Sequence, residues 1–191
     1  FTLQSVGLFG GMAAEIAIRM FADHASAEFW GLVFLIGFML SFPPIAYFYA
    51  GLFRPRNKWY LPFVSYMSGG ASVLAITSPS TYTPPPEVYV LFLFLILIVY
   101  PPLAVSCMRL APLAGRRTTR MKFWIVGLWA TVHTLAYVPL GLADMLSLPE
   151  PVGAPIYALT GLLLTFSYIL AYLGWVMPAW LKRRFAEPRA T

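Results

Sequence analysis

The sequence is short of both cysteine and charge. It contains one cysteine, Cys107, so no internal disulfide can form. Only 10% of its residues are charged and 60% are hydrophobic, whereas a soluble domain has about 25% charged residues. Because so little charge cannot cover a folded domain with a polar surface, the sequence predicts that lipid is the main solvent of this chain.

Motifs typical of soluble enzymes are also absent. The sequence has no G-x-x-x-x-G-K-[ST] phosphate-binding loop, no H-E-x-x-H zinc motif and no C-x-x-C pair. We therefore predict no catalytic residues and no metal site, and the residues indicate no particular cofactor. Enzymatic activity stays open, with a non-catalytic role favoured.

Long apolar runs are what the sequence has instead. In lipid every backbone polar group must be bonded within the protein, so the chain must form helices or a closed barrel. A barrel strand would show about ten residues of alternating polarity, whereas residues 88–99 read VYVLFLFLILIV. The sequence therefore predicts an all-α integral membrane protein.

Six runs are long enough to cross a bilayer, which takes about 20 apolar residues. They are Leu3–Phe21, Phe29–Phe53, Tyr60–Thr77, Val88–Leu110, Phe123–Ala143 and Ile156–Trp180, here numbered spans one to six. The intervening loops are short, so we expect one compact bundle and a single domain over residues 1–191.

Two pairs of prolines fall inside spans. Pro43 and Pro44 lie in span two, and Pro101 and Pro102 lie in span four. Each pair removes backbone donors and is expected to kink its helix, with neighbouring helices or hydroxyl groups bonding the freed carbonyls. The similar contexts, PPIA and PPLA, suggest either a faint duplication of a helical hairpin or a chance recurrence in a chain with 17 prolines.

Basic residues are segregated along the chain. All lysines and arginines except Arg19 fall after spans two and six, or at the end of span four and in the loop after it: Arg54, Arg56, Lys58, Arg109, Arg116, Arg117, Arg120, Lys122, Lys182, Arg183, Arg184 and Arg189. Because short cytoplasmic loops carry the excess of positive charge, both termini are predicted to be cytoplasmic. The net charge of +6 then reflects anchoring to anionic lipid headgroups rather than nucleic-acid binding.

Three ionisable residues are candidates for an intramembrane polar site, because such residues are costly in lipid. Glu15 and Arg19 lie four apart on one face of span one, where they either neutralise each other or form an ion or substrate site. His133 lies near the middle of span five. It is expected to be either a neutral, hydrogen-bonded structural histidine or a proton relay or cofactor ligand.

Span three is small and polar for its length. Ser65, Ser68, Gly69 and Ser72 follow one another at helical steps, which allows a neighbouring helix to approach closely. We interpret these residues as a helix-packing face, with a ligand-lining helix as the alternative.

Three classes of function remain. The favoured class is an accessory or structural subunit of a larger membrane complex, with the bilayer and other membrane subunits as partners. The second is a sensor or signalling input module, since a helix over Ile156–Phe185 would be about 45 Å long and would extend beyond the bilayer. The third is a small transporter or membrane enzyme that uses Glu15, Arg19 and His133.

Overall fold

A computed structural model describes residues 13, 17, 20–53, 57–80, 85–146 and 148–185. Within these ranges the chain is helical and contains no β-strand. In chain order the helices are α1 His24–Met39, α2 Phe42–Phe53, α3 Tyr60–Thr77, α4 Pro86–Leu110, α5 Arg117–Met145, α6 Glu150–Ala171, a π-helical turn Tyr172–Val176 and α7 Ala179–Phe185. The predicted all-helical fold class is confirmed.

Four helical segments of the described chain are long and apolar enough to cross a membrane. They are His24–Phe53, which comprises α1 and α2, Pro86–Leu110, Arg117–Ala143 and Pro151–Val176. These segments overlap spans two, four, five and six. Span three forms α3 with the predicted bounds but is not one of the four, and span one falls largely outside the described residues.

The chain divides into two compact units, Phe1–Leu95 and Ile96–Thr191. The boundary falls inside α4, so one helix contributes to both units. Each proline pair belongs to a different unit. In the first unit Pro43 follows a break between α1 and α2, whereas in the second unit Pro101 lies within the continuous helix α4.

The break between α1 and α2 has a direct chemical cause. Pro43 has no N–H group, so the carbonyl of Met39, four residues earlier, loses its helical donor. The hydroxyl of Ser68 in α3 donates to this carbonyl instead. Nearby, the Ser41 hydroxyl donates to the Phe38 carbonyl at 2.6 Å. α3 is therefore held against the break by a hydrogen bond as well as by packing.

The buried face of α3 includes two of the four residues of the expected packing face. It comprises Val64, Ser68, Ala71, Ser72 and Ala75. Ser65 and Gly69 lie on the exposed side, and a Cβ added at Gly69 would meet nothing within 4 Å. Successive residues of a helix are about 100° apart, so the four residues proposed as one face straddle its edge. Ser68 and Ser72 therefore lie on the buried side of α3, and Ser65 and Gly69 lie on its exposed side.

The start of α1 is tied to the end of α3 within the first unit. The Asp23 carboxylate accepts a hydrogen bond from the Ser26 hydroxyl at 2.5 Å and another from the Ser26 backbone N–H at 3.1 Å. These two bonds cap α1 and lower the pKa of Asp23. Further along, the Ser80 hydroxyl donates to Glu28 at 2.5 Å. Asp23 and Glu28 therefore have local structural roles.

In the second unit two glycines set the spacing of the helices. A Cβ at Gly127 would lie 3.0 Å from Met108 Cγ and 3.3 Å from the Ala104 carbonyl oxygen, so α5 lies very close to α4. A Cβ at Gly174 would lie 3.0 Å from Val126 Cγ2, so the π-helical turn lies equally close to α5. Neither position has room for a larger side chain.

The sixth span is not the continuous helix that the sequence analysis expected. α6 ends at Ala171 and is followed by the five-residue π-helical turn. Met177 then adopts a left-handed backbone with φ of 47°, and Pro178 cannot donate the next helical hydrogen bond. The prediction of a single helix over Ile156–Phe185 is therefore wrong. The argument for a sensor that rested on the length of this helix no longer applies.

Candidate functional site

His133 is the one predicted intramembrane ionisable residue that the structure describes, because Glu15 and Arg19 lie outside the described residues. It lies near the middle of α5, one helical turn from Trp129 and one from Tyr137. Side chains four residues apart share a face of a helix. All three are buried, with 1% of His133 exposed. This face of α5 therefore points into the second unit.

α6 supplies the hydrogen-bond partner of His133. The Nδ1 atom of His133 lies 3.0 Å from the Oγ atom of Ser167, and both side chains are buried. Ser167 is fully enclosed, so neither group exchanges this partner for water. The bond therefore ties the middle of α5 to α6.

Four aromatic rings surround the imidazole. The ring centroids of Tyr100 and Tyr137 lie 4.4 Å and 4.7 Å from that of His133, and those of Trp129 and Tyr168 lie at 5.8 Å and 6.4 Å. We call His133, Ser167, Tyr100, Trp129, Tyr137 and Tyr168 the His133 cluster. Trp129 also contacts Trp175 of the π-helical turn at 5.8 Å, so the cluster reaches from α4 to the end of α6.

The hydrogen bonds of the cluster assign the tautomer of His133. If Nδ1 carried the proton, the Ser167 hydroxyl proton would have no acceptor, because His133 is the only partner of Ser167 among the described residues. If the hydroxyl donates to Nδ1, the ring proton resides on Nε2, and the Nε2–H group is then the one donor of the pair without an acceptor. A buried polar group without a partner is costly, so the second arrangement is favoured. Within the described chain Nε2 has no hydrogen-bond partner.

The Ser167–His133 pair has one feature of a hydrolytic site, a hydroxyl bonded to an imidazole. It lacks the others. None of the side chains in the His133 cluster is acidic, so no carboxylate orients the imidazole. Both residues are also enclosed, at 0% and 1% exposure, so a substrate has no path to the hydroxyl. The chemistry that the cluster supports is hydrogen bonding between helices.

A second polar contact joins α5 and α6 next to a proline. Pro139 lies inside α5 and removes the donor for the Leu135 carbonyl. The buried Thr160 hydroxyl donates at 3.3 Å to the adjacent carbonyl of Ala136. The sequence analysis singled out His133 but neither Thr160 nor Ser167. Their seven-residue separation, which puts both hydroxyls on one face of a helix, is the signal that could have found them.

The described His, Cys, Asp and Glu side chains outside the His133 cluster do not form a metal site. No group of three or more His, Cys, Asp or Glu side chains that could hold a metal ion occurs in the described residues. Cys107 is a free, buried thiol, enclosed to 1% exposure. It is therefore closed to lipidation as well as to metal binding. His24 begins α1 in the first unit.

One face of α3 points away from the first unit. It is formed by Ser65, Tyr66, Gly69, Gly70, Val73 and Ile76, which we call the α3 outer face. Tyr66 is 79% exposed and Val73 is 59% exposed. Between them a Cβ added at either glycine would meet nothing within 4 Å. The glycines thus form a shallow notch flanked by large apolar side chains.

Comparison with known proteins adds no family to these observations. No protein-family model, curated protein or solved structure matches the chain significantly.

Proposed function

We propose that the chain is a non-catalytic integral membrane protein that acts as an accessory subunit of a larger membrane complex. The observation that carries this proposal is the notch at Gly69 and Gly70 on the α3 outer face. A glycine inside a helix costs about 1 kcal/mol relative to alanine. Within the described chain no neighbouring atom lies close to either glycine. No contact there offsets the cost of having glycine in the helix.

A helix from another protein would explain the notch. In lipid, apolar side chains alone do not drive helices together, because the surrounding acyl chains are equally apolar. Small residues allow two backbones to approach closely, and this contact gives association its energy and specificity. Tyr66 and Val73 would then pack on either side of the incoming helix.

The membrane arrangement proposed with this function has six spans and both termini in the cytoplasm. Its support is the segregation of the basic residues and the four long apolar helices. The enclosed His133 cluster suits a subunit better than a transporter, because a transport path needs polar groups that a substrate can reach.

The test is association in mild detergent at native expression level. We expect the chain to co-purify with larger membrane proteins, and we expect Gly69→Leu to abolish this association. Gly69→Ala should weaken it less, because a methyl group fills less of the notch. Gly161→Leu is the matched control, since Gly161 is an equally open helical glycine on α6. A stable monomer that ignores Gly69→Leu would contradict the proposal.

A second candidate, a sensor or signalling input module, is favoured by one observation. α6 bears Ser167 and runs directly into the π-helical turn and the left-handed Met177. π-helical turns are frequent at functional sites, and a left-handed residue other than glycine is strained. A sensor would transmit a change at the His133 cluster to α7. Ser167→Ala would then alter the emission of an environment-sensitive fluorophore attached to a cysteine at Trp180 in a Cys107→Ala background, which a passive subunit would leave unchanged.

A further inference from the structure

Two basic segments meet at one end of the second unit. The first is the start of α5 and the second is the short helix α7. Their exposed or half-buried cationic side chains are Arg116, Arg117, Arg120, Lys122, Lys182, Arg183 and Arg184, which we call the basic patch. Seven positive charges drawn from two separate elements are thus grouped in one unit.

The structure shows what holds the two segments together. The Arg117 guanidinium carbon lies 5.6 Å from the centroid of the Phe185 ring, a cation–π contact. Leu181 is buried, and α7 contacts α5. Leu181 and Phe185 are four residues apart and share the inner face of α7. Lys182, Arg183 and Arg184 are consequently exposed.

The patch lacks counterions in the described part of the chain. Its contacts there are the Arg117–Phe185 pair and a hydrogen bond of 3.3 Å from Arg120 to the Ala114 carbonyl. No described acidic side chain pairs with any of its cations. Like charges repel one another, and this repulsion opposes the contact of α7 with α5. An anion bound across the two segments would remove that repulsion.

We infer that the basic patch binds an anionic phospholipid whose headgroup carries two phosphates, one phosphate at the start of α5 and the other at α7. Guanidinium groups bind phosphate with paired, charge-assisted hydrogen bonds. Trp180 is 59% exposed beside the patch, and tryptophan favours the level of lipid headgroups. The inference rests on the membrane location in the proposed function and requires no partner subunit.

The experiment uses the full chain purified in mild detergent and native mass spectrometry. The protein is titrated with diphosphatidylglycerol, phosphatidylglycerol and phosphatidylcholine, which carry two, one and no net negative charges respectively. We expect diphosphatidylglycerol to bind at least tenfold more tightly than phosphatidylglycerol. Phosphatidylcholine should remain bound to the protein no more than the detergent does.

Two variants separate a specific site from general charge. The triple change Lys182→Gln, Arg183→Gln and Arg184→Gln should weaken diphosphatidylglycerol binding at least tenfold. Removing the same charge elsewhere, with Arg54→Gln, Arg56→Gln and Lys58→Gln, should change it by less than threefold. Phe185→Leu retains every charge but removes the cation–π contact, and it should reduce the preference for two phosphates over one. Circular dichroism verifies that each variant keeps its helical content.

Three results would overturn the inference. If the two triple variants lost equal affinity for diphosphatidylglycerol, binding would depend on the net positive charge of the chain and not on the basic patch. Displacement of the lipid by millimolar inorganic phosphate would make the ligand a free anion. Tighter binding of an acidic peptide or an oligonucleotide than of diphosphatidylglycerol would make it a different macromolecule. All three measurements use the isolated chain, so they are independent of whether it co-purifies with larger proteins.

Discussion

At the scale of single residues, the most consequential contact is the one between His133 and Ser167. It is buried on both sides and joins two long helices. The ring nitrogen that accepts the Ser167 proton has no other partner in the described chain. Removing the hydroxyl would therefore leave a polar nitrogen enclosed among aromatic rings.

We accordingly expect Ser167→Ala to lower the free energy of unfolding in detergent by about 1 kcal/mol, within the range for interhelical hydrogen bonds in membrane proteins. Thr165→Ala is the matched control on the same helix, because the exposed Thr165 hydroxyl bonds only its own helix, at Gly161. Its effect should stay within about 0.5 kcal/mol. Equal effects from the two changes in a denaturant titration would show that the His133–Ser167 bond contributes nothing.

At the residue level, the sequence analysis singled out His133 but not the residues that contact it. A histidine inside an apolar run can be recognised from the sequence alone, because it interrupts the run. Ser167 is an ordinary hydroxyl residue in the sequence, and only the rotation of α6 against α5 makes it a partner. Burial of Cys107 was likewise invisible, because exposure depends on which side of α4 meets Gly127.

At the scale of elements, the proline pair in the first unit and the serines of α3 act together. The prolines remove helical hydrogen-bond donors, and a serine hydroxyl replaces one of them. Pro43 frees the Met39 carbonyl, and Ser68 supplies the donor that replaces the lost N–H group. Ser72 donates at 2.9 Å to the Ser68 carbonyl within the same helix. A small polar helix is therefore useful here for hydrogen bonding as well as for close packing.

This compensation can be measured as a coupling between two substitutions. Ser68→Ala leaves the Met39 carbonyl without its donor and should cost about 1 kcal/mol of stability. In a Pro43→Ala background the alanine N–H can bond that carbonyl, so the same serine change should cost clearly less. A double-mutant cycle with thermal unfolding measures the difference. Additive effects would mean that Ser68 and Pro43 act independently.

The helix boundaries show where sequence patterns suffice. α3 was predicted with its bounds because Lys58 and Trp59 precede it and Pro79 follows its apolar run. The sixth span was predicted too long because its hydrophobic run continues through Pro178 with no change in composition. Proline there lacks the donor that a continuous helix needs, and Met177 turns left-handed just before it. Local chemistry outweighed the hydrophobic pattern at this point.

At the scale of the whole molecule, the proposed six-span arrangement requires α3 to cross the bilayer. Its 18 residues are about 27 Å long, slightly shorter than a hydrocarbon core of about 30 Å. It also carries Ser65, Ser68 and Ser72 and is small and polar for its length. The proposed function depends on this crossing, because a close helix contact at Gly69 requires α3 to lie in lipid.

Three single cysteines in a Cys107→Ala background decide this. In the sequence, Pro55 precedes α3, Thr83 falls between α3 and α4, and Gly115 follows α4. If six spans are correct, an impermeant thiol reagent should label cysteines at Pro55 and Gly115 from the cytoplasmic side. It should label a cysteine at Thr83 from the opposite side, because one helix separates it from each of the other two. Labelling at Pro55 and Thr83 from one side, with Gly115 on the other, would mean that α3 does not cross. The α3 outer face would then meet water or headgroups, and the close helix contact proposed at Gly69 would lose its physical basis.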